Sequence, residues 1–277
     1  MEQEIEFHAA LAALAWQVEL GADEAIGETP VNRYEAAPEA PVAAPHRMGR
    51  EAASAVPLPE GAATGSAVAP LLSPGEDAVA VARAAAASAR DLDDLREALG
   101  AYEHCELKKG ARSLVFSDGN PQARVLILGE APGRDEDLQG KPFVGRAGQL
   151  LDRMFDAIGL SRAAPDAERA LYITNVMVWR PPQNRDPSPE EIAMMLPFVE
   201  RHIALIDPEV IVAMGNTPCA ALLGQRGITR LRGGWTQALG KPVLPMFHPA
   251  FLLRQPHMKR EAWADLLALQ ARLRSLP

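Results

Sequence analysis

Four short, nearly continuous apolar runs, spaced by helix-length segments, constrain this 277-residue chain more than any other feature. They are Arg124–Leu128, Leu171–Val178, Glu209–Met214 and Pro242–Phe247. Runs of this length without polar alternation belong to strands covered on both faces. Helical patterns near 147–158, 218–223 and 260–273 lie between or after them. A further helix opens at Ser188-Pro189-Glu190-Glu191, where Ser188 is the cap, Pro189 the first turn and Glu191 the return of a capping box. Strand–helix alternation predicts an α/β fold: a three-layer α/β/α sandwich around a central, four-stranded, mainly parallel sheet. Ligands bind such sheets at the carboxyl ends of the strands, so chemistry is expected just after each run.

The front of the chain is different. Through Gly100 there are 6 Lys and Arg against 17 Asp and Glu, leaving 22 against 19 for the rest. The net charge of −8 therefore hides a mildly basic body behind an acidic arm, and that body permits nucleic-acid binding. Residues 1–27 hold an amphipathic helix pattern, including Ile5, Leu11, Leu14, Trp16 and Val18, and are equally compatible with a frayed extension or a partner-docking peptide. Residues 28–88 are rich in Ala, Pro, Gly and Ser and are expected to be a disordered linker. The folded domain is expected from residue 89 to 277, with activity surviving truncation before about residue 90. Two cysteines, no leader pattern and no run of the ~20 apolar residues that cross a bilayer lead to the expectation of a cytoplasmic, soluble monomer.

At the first strand exit stands GEAPGRDEDLQGKPFVGRAG, with Gly129, Gly133, Gly140, Gly145 and Gly148 allowing tight turns and close backbone approach, Glu130 directly at the exit followed by Ala131, Glu136 behind it and Phe143 within the loop. Composition alone leaves open a solvated acidic loop in which Phe143 caps the core. The second strand delivers Asn175, which either ties down a turn or reads a base edge by donating and accepting at once. Gly215-Asn216-Thr217-Pro218 after the third strand reads as a turn into a helix, without chemistry. The fourth strand ends at His248, followed by Leu252, Leu253 and Arg254, residue types suited to an apolar wedge and a cation entering a DNA groove. Arg180, Lys259 and Arg260 are candidates for flanking phosphates.

Singly these signals are weak, but their order is specific. GEAPGRDEDLQGKPFVGRAGQLLD, YITNVMVWRPPQNRDPSPEEI and HPAFLLRQP with KREAW closely resemble the three motifs of the family 4 uracil-DNA glycosylases, over about Tyr102 to Leu269. The resemblance implies a DNA-repair enzyme that flips deoxyuridine out of DNA and hydrolyses its glycosidic bond, leaving an abasic site. It implies that Phe143 stacks on uracil, Asn175 bonds its polar edge, and the Gly129–Gly133 turn lines the pocket. His248 is then placed beside uracil O2 and Glu130 near the attacking water, with Glu136 helping to exclude the thymine methyl group. Uracil-containing DNA is the implied partner.

The chain departs from that family at one place. Family 4 enzymes usually hold a four-iron cluster through four Cys; the corresponding positions here are Tyr102, Cys105, Trp179 and Met195. One thiolate does not hold such a cluster, and His104 beside Cys105 suits no zinc spacing, so no metal or other cofactor is expected. The three large residues are expected to fill the space as a small apolar core. A related group traps DNA through a His in an Arg-rich insertion after the second strand; no His stands between Asn175 and Glu191. Two readings compete with the glycosylase: a non-catalytic DNA-binding module on the same fold, and a glycosylase for another deaminated base.

Overall fold

Apolar character on both sides of a strand requires a covered sheet, and the computed structural model, which describes residues 74–276, shows one. Its strands are β1 (Asp118–Gly119), β2 (Val125–Gly129), β3 (Leu171–Asn175), β4 (Val210–Met214), β5 (Thr236–Ala238) and β6 (Lys241–Met246). They lie in the order β1-β3-β2-β4-β6-β5. The four long-read runs form the parallel centre, and the short β1 and β5 add antiparallel edges that sequence pattern did not reveal. Two- and three-residue edge strands carry no periodicity to read.

The helices are α1 (Pro74–Ser88), α2 (Leu92–Ala101), α3 (Leu107–Gly110), α4 (Arg134–Gln139), α5 (Arg146–Asp156), α6 (Pro189–Ile206), α7 (Asn216–Leu223), α8 (Ile228–Leu231), α9 (Pro249–Arg254) and α10 (Lys259–Ser275). Side chains alternate across the sheet. Leu126, Leu128, Tyr172 and Ile211 join α1, α2, α6 and α7 in one apolar cluster. Val125, Ile127, Ile173 and Val212 join α5 and α10 in another. This is the expected three-layer sandwich. The capping box at the start of α6 is also present: Ser188 Oγ accepts from the Glu191 N–H at 3.2 Å, and the Glu191 carboxylate accepts from the Ser188 N–H at 2.8 Å.

The domain boundary needs a correction. The amphipathic pattern at 1–27 and most of the expected linker lie outside the described residues, but the end of that linker, 74–88, is a helix. Alanine is the best helix former, and a column of Ala78, Ala82 and Ala86 lets α1 lie close against α6. Polar contacts lock it there. The Tyr102 hydroxyl donates to Ala78 O at 2.8 Å, and the Arg201 guanidinium donates twice to Ala89 O, at 2.9 and 2.6 Å. Low side-chain bulk looked like a linker because its packing role depends on a partner helix.

Removing residues 1–88 is therefore expected to destabilise the domain relative to removal of 1–73. Orphaning the buried Tyr102 hydroxyl alone costs about 1–3 kcal/mol, a lowering of the melting temperature by several degrees. Equal melting curves for the two truncations would refute this packing role.

Candidate functional site

Parallel register assembles the site. Gly129, the last residue of β2, pairs with Asn175, the last residue of β3. On the other side the Gly215 N–H donates to Met246 O, bringing the ends of β4 and β6 together. Glu130, Asn175, Gly215 and His248 thus meet at the carboxyl ends of the central strands, lining a cleft of about 610 Å³. Its walls include Glu130, Ala131, Gly133, Glu136, Phe143, Asn175, His248 and Arg254.

At the base, Gly129 leaves room that no other residue leaves. A Cβ there would stand 2.2 Å from Asn175 Oδ1 and 2.5 Å from the Phe143 ring, far inside van der Waals contact. Asn175 is 3% exposed, and its Oδ1 has no hydrogen-bond partner. A buried unpaired amide oxygen is costly, so this one marks a place where a ligand donor belongs.

Phe143 is buried and adopts φ = +53°, an unusual backbone for a bulky residue. Several contacts impose it. Arg162 donates to Pro142 O and Phe143 O, both at 2.9 Å, while pairing with Asp152 and Asp118. The Phe143 carbonyl also lies where a Cβ on Gly148 would be, at 1.8 Å. Glu136 closes the loop from the other side, its carboxylate accepting from the N–H groups of Gly133, Val144 and Gly145 at 3.1, 3.0 and 2.9 Å. Glu136 was expected to discriminate against a methyl group; in the structure its oxygens organise the backbone around Phe143. The acidic loop is in fact a short helix, α4, whose first turn places Asp135, Glu136 and Asp137 at the favourable N-terminal end.

The Phe143 ring lies 5.3 Å from the His248 ring, at an interplanar angle of 30°. His248 Nδ1 accepts from the Ala250 N–H at 3.2 Å, capping α9. That bond assigns the neutral ring's proton to Nε2. Surrounding protein desolvates the imidazole and, with Arg254 nearby, pulls its pKa down to about 4. At neutral pH the side chain is an uncharged N–H donor.

Glu130 is half-buried at the β2 exit. Its Oε2 accepts from the Thr217 hydroxyl at 2.7 Å. Burial pushes its pKa up, the Thr217 bond opposes that rise, Asp186 adds to it and Arg226 reduces it. Thr217 and Arg162 are two contributors that sequence reasoning missed. Arg162 carried no signal, since its partners are main-chain carbonyls in a distant loop, whereas Thr217 stood in a strand-end turn of the kind searched elsewhere.

The expected groove-binding residues fare unevenly. Arg254 is exposed on the cleft wall, and Lys259 is exposed further along. Leu252, expected as a wedge, is fully buried with Leu150, Phe247 and Ala262, because α9 turns it towards the body. Leu253 is half-buried outside the cleft lining, and Arg180 is held by Asn184 Oδ1 at 2.8 Å. Tyr102, Cys105, Trp179 and Met195, the positions that the resemblance matches to cluster ligands, are all buried in one apolar cluster. The donor set does not fit an iron–sulfur group: three positions lack a thiol, and burial pushes the Cys105 thiol's pKa up.

Among the described residues no helix is long and apolar enough to cross a membrane. Comparison with known proteins identifies similar chains. The chain is 38% identical over 183 residues to the type-4 uracil-DNA glycosylase of Archaeoglobus fulgidus, covering 63% of this chain and 89% of that one. It is 41% identical over 153 residues to the type-4 enzyme of Thermotoga maritima, covering 54% and 77%. It is 34% identical over 197 residues to that of Saccharolobus solfataricus, covering 68% and 88%. The profile of the uracil DNA glycosylase superfamily matches residues 116–267, which hold the sheet, the cleft and all four strand-end side chains. The chain belongs to the uracil DNA glycosylase superfamily.

Proposed function

We propose that the cleft binds a deoxyuridine flipped from DNA, with Phe143 stacked on the base, Asn175 on its polar edge, His248 beside O2 and Glu130 near the water. The chain is a uracil-DNA glycosylase of the DNA base-excision repair type, as its family and its type-4 relatives establish. The observation that carries the residue assignment is the buried, unpartnered Asn175 Oδ1, which crowds the same point over Gly129 as the edge of the Phe143 ring and so supplies an unmet acceptor near an aromatic surface. Extruding a base costs its stacking and pairing, and a site that offers both in replacement favours extrusion.

In the reaction, the C1′–N1 electron pair leaves with uracil and a water oxygen bonds C1′. The water's proton passes to solvent by way of Glu130, balancing the uracil anion. The sugar passes through a cationic state, which the Glu130 carboxylate stabilises while orienting water. Charge that gathers on uracil O2 strengthens the Nε2–H bond from His248 in the transition state more than in the ground state. The neutral imidazole suits that task, since it donates without needing protonation. Arg254 on the cleft wall and Lys259 beyond it suit contact with flanking phosphates. No step uses a metal: Tyr102, Trp179 and Met195 occupy the cluster positions as apolar packing beside Cys105. Neither a partner for residues 1–27, one of two readings left open there, nor the monomeric state enters this assignment.

Release of free uracil from a uracil-containing oligonucleotide tests the reading directly. H248A and N175A are each expected to slow single-turnover release by roughly 10²-fold or more, the scale of a lost transition-state donor, with the native fold retained; H248A also gives up the α9 cap and is expected to melt a few degrees lower. Full activity in both would overturn the assignment, and no uracil release by the wild type would favour a non-catalytic DNA-binding module. Purified protein is expected to be colourless and free of stoichiometric iron by metal analysis; brown, iron-loaded protein would contradict the apolar refilling of the cluster positions.

A further inference from the structure

The third strand was expected to bring no chemistry to the cleft, yet it delivers a hydroxyl to the proposed water-positioning carboxylate. Thr217 is 3% exposed, in the first turn of α7, immediately past the β4 exit. Its Oγ1–H donates to Glu130 Oε2 at 2.7 Å, an ordinary distance for a hydroxyl donor. Its neighbour Asn216 is already occupied: Asn216 Oδ1 accepts from the N–H groups of Gly227 and Ile228 at 3.0 and 2.9 Å, holding the turn in place. Among the described residues no protein donor reaches Glu130 Oε1.

We propose that Thr217 is a positioning residue of the reaction, its hydroxyl anchoring one oxygen of Glu130 so that the other is kept for the attacking water. The proposal rests on the reading of Glu130 given above and deepens it. A carboxylate on a two-carbon stem samples several rotamers, and a water held by a wandering oxygen reaches C1′ seldom. A single charge-assisted bond to one oxygen removes that freedom without neutralising the other. The bond also opposes the burial that favours the neutral form of Glu130. The charged and titratable groups around it are Asp186 and Arg185 on the β3–α6 loop, Arg226 after α7, Glu136 on α4, His248 at the β6 exit and Arg254 on α9.

The test is single-turnover uracil release as a function of pH, with wild type, T217V, T217S, T217A, E130Q and the T217V/E130Q double variant. T217V keeps the side chain's shape and removes the donor. It is expected to lower the rate about tenfold, the scale of one charge-assisted hydrogen bond, with DNA affinity unchanged. Glu130 must be ionised to act, and losing a donor raises its pKa, so the acid limb of the profile moves to higher pH. T217S is expected to recover most of the rate and the original limb. T217A carries the same expectation as T217V, so failure of one to fold leaves the other to decide. In the E130Q background T217V should cost nothing further. A T217V loss of the same size in that background, or an unmoved acid limb, would show a structural role and overturn the proposal. E130Q impaired with T217V and T217A fully active would overturn it while leaving Glu130's assignment intact. A fully active E130Q would remove the reading of Glu130 itself, and this proposal with it.

Discussion

Most of the site depends on a methyl group that is missing. Gly129 pairs with Asn175 across parallel strands, and the space where its Cβ would be is shared by the Asn175 amide and the edge of the Phe143 ring. Any side chain at 129 would push the ring and the amide apart. The ring could not then lie over the sheet edge, and the loop from 133 to 145 would lose the geometry that Glu136 and Arg162 impose on it. Register puts the two strand ends side by side, and the glycine turns that adjacency into a floor.

The loop above the floor is held by charges acting on main chain rather than on ligand. Arg162 binds two consecutive carbonyls and two carboxylates, and Glu136 gathers three N–H groups. Such contacts offset the strain of a bulky residue at positive φ, which costs on the order of 1–3 kcal/mol. Strain held this way is characteristic of a preorganised surface: Phe143 is in place before a base arrives, and binding need not order it.

Much of this was legible in the residues. The four apolar runs located the parallel strands, and the rule that ligands gather at strand ends singled out Gly129, Glu130, Asn175 and His248 from positions up to 119 apart in sequence. What escaped reading did so for physical reasons. Leu252 stands between Phe251 and Leu253, and only the orientation of a six-residue helix decides which of them meets DNA or the core. The alanine column of α1 resembles a linker until α6 lies against it. Thr217 and Arg162 act through contacts with residues 87 and 19 positions away, which no local pattern encodes. Trp179 and Met195, read from the resemblance as stand-ins for thiols, are both buried in the apolar cluster.

The bond from the Ala250 N–H to His248 Nδ1 has a consequence for how the protein responds to salt. A cationic catalyst would be screened along with the cations that grip DNA, so binding and turnover would weaken together. On the proposed assignment the donor at the reacting base is instead a dipole, fixed by its own helix and desolvated in the wall of the cleft. Ionic strength then governs how often DNA arrives and how long it stays, through groups such as Arg254, and leaves the speed of the step inside the cleft largely alone.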